Sequence, residues 1–182
     1  MLQSSLSLFL FIVLFCGQAL AQSKENSLGS ASQLSWKDAE ATKNNETLKT
    51  LKSAFKATNF DFTIEGSSNF TIFGPSDEAI NSKNSISLET LFEPENRRAL
   101  YSFVTYHMIA GRLTASSILR AMSSGNGIAR FTTVQGNELL ASMDGTDIVL
   151  MDCFGNKARI TSADKKFGNS VLHIIDNVIL AN

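Results

Sequence analysis

The side chains of this sequence best suited to chemistry are few and far apart. Histidine occurs at His107 and His173 alone, and a carboxylate, Asp176, lies three positions beyond the second. Two imidazoles and a carboxylate can ligate a transition metal when the strands carrying them run side by side. Residues three apart in one strand point to opposite faces, however, which sets His173 and Asp176 against a shared site. The competing role for each histidine, inside what reads as an apolar strand, is a neutral imidazole bonded to backbone or carboxylate. Asp144, Asp147 and Asp152 form a second acidic group around β-turn sequences. Turn hydrogen bonding accounts for them, and their spacing does not bring oxygens together on a Ca²⁺ ion. The expectation is therefore no metal and no cofactor.

Nucleophilic and phosphate chemistry lack their motifs too. The sequence has no G-x-S-x-G elbow, no phosphate loop, no paired-cysteine zinc motif and no H-E-x-x-H. Gly125-Asn126-Gly127 begins a dinucleotide fingerprint, but Arg130 stands at the third glycine position and the segment runs into a strand pattern rather than a helix. These absences lead to the expectation of a non-enzyme. With 16 basic and 17 acidic side chains the net charge is −1, which gives no electrostatic case for nucleic acid or anionic lipid. The doublets Lys165-Lys166 and Arg97-Arg98 read as solvated surface pairs.

The N-terminus constrains the cysteine chemistry. Leu6 to Phe15 is apolar except for Ser7, and Ala19-Leu20-Ala21 supplies small residues for cleavage before Gln22, so residues 1–21 are expected to be a signal peptide. Lipidation at Cys16 is the weaker alternative, because Phe15 is bulky where such sites take a small residue. Cleavage removes Cys16 and leaves Cys153 without an intrachain disulfide partner. That thiol is then either a small, partly buried hydrophobe or the link in a homodimer. No later segment is long and apolar enough to serve as a transmembrane anchor. Secretion is the expected route, to the extracellular space or, in a bacterium, to the periplasm or cell surface. Asn45-Glu46-Thr47 and Asn69-Phe70-Thr71 are glycosylation sequons if the host pathway is eukaryotic.

The elements that position these residues follow from periodicity. Residues 22–35 are polar and read as a flexible arm, and 36–182 as a single domain. Asn45 is a candidate N-cap for a helix with Leu48, Leu51, Ala54 and Phe55 on one face. Phe60, Phe62 and Ile64 fit either a helix or a strand. Phe70 to Phe73 reads as a strand closed by Gly74-Pro75, and Ser76 as the cap of a helix whose first turn carries Asp77 and Glu78. Ser87 and Pro94 mark two further helix starts, the second leading through Leu100, Phe103 and Val104. Tyr106 to Ile109 reads as a strand, and Thr114 as the cap of a helix through Ile118, Leu119 and Met122. From Ile128 onward, turn signals at Gln135-Gly136-Asn137, Asp144-Gly145 and Gly155-Asn156 predict a β-meander. Val171 to Leu180 is apolar on both alternating faces, as a strand in the middle of a fold must be.

Three of these segments carry a family resemblance. Thr71-Ile72-Phe73-Gly74-Pro75-Ser76-Asp77-Glu78-Ala79-Ile80, then Tyr106-His107, then Val171-Leu172-His173-Ile174-Ile175-Asp176-Asn177-Val178-Ile179-Leu180 resemble the first homology block, the tyrosine-histidine motif and the second homology block of the fasciclin domain family. Glu93-Pro94-Glu95-Asn96, Gly111 to Thr114 and Thr133 to Gly136 are similar to its recurrent connections, and residues from about 46 to 181 can be followed throughout. Gly74, Ile80 and Asn169-Ser170 depart from the usual alanine, phenylalanine and Asn-Gly, and Ser170 is expected to make the turn before the last strand less comfortable. The resemblance implies an α/β (α+β) domain, a twisted β-sandwich with helices packed at its edge, and turns Phe60 to Ile64 toward helix. It also implies adhesion or matrix binding, with an extracellular protein or polysaccharide as partner and Tyr106, His107, Met108 and Ile109 as the carried-over contact residues. The residues themselves leave a second role open, in which Tyr106 and His107 pack in the core with their polar tips satisfied internally. An extracytoplasmic small-molecule carrier or sensor, with a ligand held among the phenylalanines, is the alternative of a different class.

Overall fold

Helix α1, Lys49–Thr58, forms where Leu51, Ala54 and Phe55 recur at helical spacing and are buried together. Its N-cap is Leu48 rather than the expected Asn45, and Leu48 offers no side-chain hydrogen bond. The cap comes instead from across the fold: Lys49 N–H and Thr50 N–H donate to the Asp77 carboxylate at 3.0 and 2.9 Å. Asp77, expected to complement the dipole of its own helix, therefore also closes the N-terminus of α1. The computed structural model describes residues 48–60, 69–82 and 88–179, all within one compact unit, Ser35–Asn182. The expectations for segments 1–21 and 22–35, and for Asn45, Phe62, Ile64 and Ser87, lie outside the described residues. Phe60 is buried, edge-on to Phe55.

Strand β1, Phe70–Pro75, leads into α2, Asp77–Ser82, and Ser76 Oγ accepts from Ala79 N–H at 3.1 Å as the cap its sequence predicts. Then follow α3, Leu88–Leu91, a 3-10 turn over Pro94–Asn96, and α4, Arg97–Tyr106. After β2, Met108–Ala110, Thr114 caps α5, Ala115–Ser124, by accepting from Ser117 N–H. The meander follows in sequence order: β3 Ile128–Thr132, β4 Glu138–Asp144, β5 Asp147–Asp152, β6 Lys157–Phe167 and β7 Ser170–Ile175.

The strands form one seven-stranded sheet in the order β2-β1-β7-β6-β5-β4-β3, twisted and open rather than a closed barrel. All neighbours are antiparallel except β1 and β7, which run parallel with Phe73 opposite His173. The long β6 joins two halves, pairing with β5 through Lys157–Arg159 and with β7 from Ile160 onward. A single bridge, Ile109 to Thr133, ties β2 to the residue after β3. The expected sandwich is thus made by one continuous sheet whose halves share a core.

That core has two layers, because β1 and β7 are covered on both faces. Ile72, Leu172 and Ile174 pack with Leu51, Phe55, Phe103 and Val104 beneath the helices. Phe73 and Ile175 face the other way, toward Ile118, Met122, Leu139 and Leu150. β7 itself ends at Ile175, five residues short of the apolar run, yet Val178 and Ile179 continue the alternation into the two layers. Gly74 permits a close approach: a Cβ there would lie 2.7 Å from a Leu51 methyl and 2.9 Å from a Leu172 methyl. The turn before β7 is Gly168-Asn169, with Gly168 at φ 56°. Ser170 already belongs to the strand, where it is buried and its Oγ accepts from Phe70 N–H, so the expected discomfort at Ser170 does not arise.

Candidate functional site

The four residues carried over as partner contacts are built into the interior. α4 continues through Tyr106, and His107 is its C-cap residue, so the strand expected from Tyr106 begins only at Met108. The reason is a helical period that runs on: Leu100, Phe103, Val104 and His107 share one face. The His107 Nδ1–H donates to Phe103 O at 2.8 Å and its backbone N–H to Val104 O, closing carbonyls left open at the helix end. Its own carbonyl accepts from Phe73 N–H at 2.8 Å, which fixes α4 to β1. Tyr106, His107, Met108 and Ile109 are all buried, the most exposed of them at 5%. They occupy the arrangement of core-packing groups.

Tyr106 reaches from this interior toward the β5–β6 turn. Its hydroxyl lies 3.6 Å from Cys153 Sγ, and burial, the Cys153 contact and the nearby Asp152 charge together hold the phenol well above its usual range. The hydroxyl is therefore a neutral group throughout the physiological range. Cys153 itself is exposed. Asp152 is buried and organises the turn: its Oδ1 accepts from Phe154 N–H at 2.9 Å and Asn156 N–H at 2.8 Å, and its Oδ2 from the Asn156 amide at 2.7 Å. This is the turn chemistry expected of that aspartate. It presents Phe154, 55% exposed, beside the thiol.

His173 stands on β7, opposite Phe73 of β1. Its ring stacks on Phe73 at 5.4 Å, its Nε2–H donates to Leu113 O at 2.8 Å, and its Nδ1 accepts from Asp164 N–H at 3.3 Å. Those contacts require the neutral ring protonated on Nε2. Burial lowers its proton affinity below the ordinary value of 6.5, and the Leu113 contact and the Asp164 charge oppose that shift. Thr71, at the start of the first homology block, binds the same connection: its hydroxyl donates to Gly111 O and accepts from Leu113 N–H, both at 2.8 Å. The three family segments therefore converge on Phe73, whose backbone meets His107 and whose ring meets His173.

The remaining candidates are dispersed. Asp176 Oδ1 accepts from Arg159 N–H at 2.7 Å, an anchor on β6 rather than a partner of His173. Asp144 and Asp147 pair with Arg159 at the surface. Among the described residues no group of three or more His, Cys, Asp or Glu is placed to hold a metal ion. Asn69 is exposed, while Thr71 of its sequon is buried. Asp164 was not singled out by sequence reasoning. It sits at φ 58° in the irregular stretch of β6, and its Oδ1 accepts from Ala115 N–H at 2.8 Å at the start of α5. An acid beside two lysines inside a strand pattern was its only signal. Among the described residues no helix is long and apolar enough to cross a membrane.

Comparison with known proteins agrees with this geometry. The family model described as the fasciclin domain matches residues 46–181. "Protein sll1483" of Synechocystis sp. is 31% identical over 141 residues, covering 78% of this chain and 71% of that protein. The transforming growth factor-beta-induced protein ig-h3 of Sus scrofa is 31% identical over 116 residues, covering 64% of this chain but 15% of that protein. The solved FAS1 domain pair of the insect cell adhesion molecule fasciclin I superposes with a TM-score of 0.56 at 25% identity, covering 74% of this chain and 45% of the pair. This chain thus spans less than half of that two-domain structure. Family-model match, relatives and fold together show that the chain belongs to the fasciclin domain family, whose members are non-catalytic modules generally associated with adhesion and matrix binding.

Proposed function

We infer that the protein is exported through the signal peptide at residues 1–21 and acts outside the cytoplasm as an adhesion or matrix-binding module contacting a protein or a polysaccharide. In a bacterial host the same reading places it in the periplasm or at the cell surface. The observation that supports the reading is the exposed Phe154 on a turn that the buried Tyr106 of the family's tyrosine-histidine motif reaches through Cys153. Tyr106 serves binding by holding that turn, and His107, Met108 and Ile109 by fastening their segment to β1, while the contact itself falls to exposed groups such as Phe154. Large, rigidly held aromatic side chains are the usual anchors of protein interfaces. Cys153 beside it is exposed, and on this reading it links two copies, giving two binding surfaces where one domain has one. In a eukaryotic host, Asn45 and the exposed Asn69 are the glycosylation sites of this reading.

The test is a double substitution, Tyr106→Ala with His107→Ala, followed by melting and by adhesion to extracellular material from the native source. Joint loss of stability and adhesion is the expected result. Lost adhesion at unchanged melting temperature would instead make these residues direct contacts. Non-reducing electrophoresis checks the dimer: a band at twice the mass that disappears on reduction and in Cys153→Ser is expected.

A further inference from the structure

We propose that His173 and Asp164 form an acid-operated clasp on α5, in which protonation of the imidazole draws the Asp164 carboxylate away from Ala115 and frees the first turn of that helix. Asp164 meets this site with two different groups. Its backbone N–H donates to His173 Nδ1 at 3.3 Å, and its carboxylate accepts from Ala115 N–H at 2.8 Å, the first helical N–H of α5. A proton arriving at Nδ1 turns an acceptor into a donor, so two N–H groups then face one another and that bond is lost. The new imidazolium is buried and needs an anion.

Asp164 is the group placed to supply it. β1, Phe70–Pro75, has no titratable side chain, nor does the first turn of α5. The connection before α5 contributes Arg112, which is exposed, and β6 contributes Lys165 and Lys166 next to Asp164. Of these, Asp164 is the charge that acts on the ring, in the direction of protonation. Its side chain is exposed and stands on a residue at φ 58°, where the ladder between Ser162 and Lys165 is already interrupted, so it can turn without breaking strand pairing. The Nε2–H bond to Leu113 O needs a proton in either state and persists. Thr114 still accepts from Ser117 N–H, so the helix loses one of its two N-terminal acceptors rather than its start. The result is a domain whose α5 edge is fastened at neutral pH and loosened in acid.

The clasp is tested on the full chain by following, residue by residue in NMR, the His173 ring and the amides of Ala115, Asp164 and Leu150 from about pH 8 to about pH 4, across the ordinary imidazole range. The expected result is one midpoint, below 6.5, shared by the His173 ring and the Ala115 and Asp164 amides. Protection of Ala115 from exchange should fall roughly tenfold per pH unit below that midpoint while Leu150 stays protected. In Asp164→Asn the ring still titrates, but Ala115 no longer follows it. His173→Gln, where it folds, removes the response. Ala115 that stays unchanged while His173 titrates, or that loses protection together with Leu150, overturns the proposal, and so does an unaltered Ala115 response in Asp164→Asn.

Discussion

The junction around Phe73 and the β3–β6 meander handle their polar side chains in opposite ways. At the junction, Thr71, His107 and His173 are buried: the Thr71 and His173 side chains bond to backbone groups of the connection before α5, while the His107 ring closes its own helix on Phe103 O and its carbonyl accepts from Phe73 N–H. In the meander, Arg130 pairs with Glu138 and Arg159 with Asp147 at the surface, and Ile128 and Phe154 are large apolar groups left exposed. The residues that identify the family lie in the first region. A motif diagnostic of the fold is therefore a motif for assembling it, and the contact proposed for Phe154 lies in the second.

Substitutions should separate the two regions by their cost. Phe73→Ala removes the ring on which the three segments meet, and a loss of about 3–5 kcal/mol is expected in urea unfolding. A loss below about 1 kcal/mol would show that the junction does not hold the fold together. The next effect depends on pH. Because His173 binds a proton less readily folded than unfolded, its stabilising contribution is complete above 6.5 and declines as pH falls below that value. Melting temperature should drop across that window in the native chain and less in His173→Gln. Gly74→Ala comes after it: the added methyl meets flexible ends of Leu51 and Leu172 that can shift, so a cost of about 1 kcal/mol is expected by thermal melting. Arg130→Ala, which breaks an exposed ion pair in the meander, should change stability by less than about 1 kcal/mol, and a double-mutant cycle with Glu138→Ala checks it.

The same contrast explains what could be read from the residues alone. The meander was legible because its pairings are local and its turns carry glycine at positive φ, as at Gly136, Gly145 and Gly155. The central position of β7 followed from its two apolar faces. The end of α4 was not legible: Tyr106 to Ile109 alternates like a strand, and only the Phe103 carbonyl above His107 shows that the helical period wins. Asp77 and Asp164 cap helices 27 to 49 residues away, and no local pattern announces such a partner. The family segments identified the domain and left Tyr106 and His107 between core packing and partner contact, since a Tyr-His pair suits a surface as well as a core, and their burial is that of core packing.

On the proposed reading the buried motif holds a surface and that surface binds. Phe154→Ser tests it most directly, with melting temperature and adhesion to extracellular material from the native source measured on the same preparation. An unchanged melting temperature with adhesion reduced at least tenfold, about 1.4 kcal/mol of binding, is expected. Adhesion equal to that of the native chain, at the same melting temperature, would contradict it.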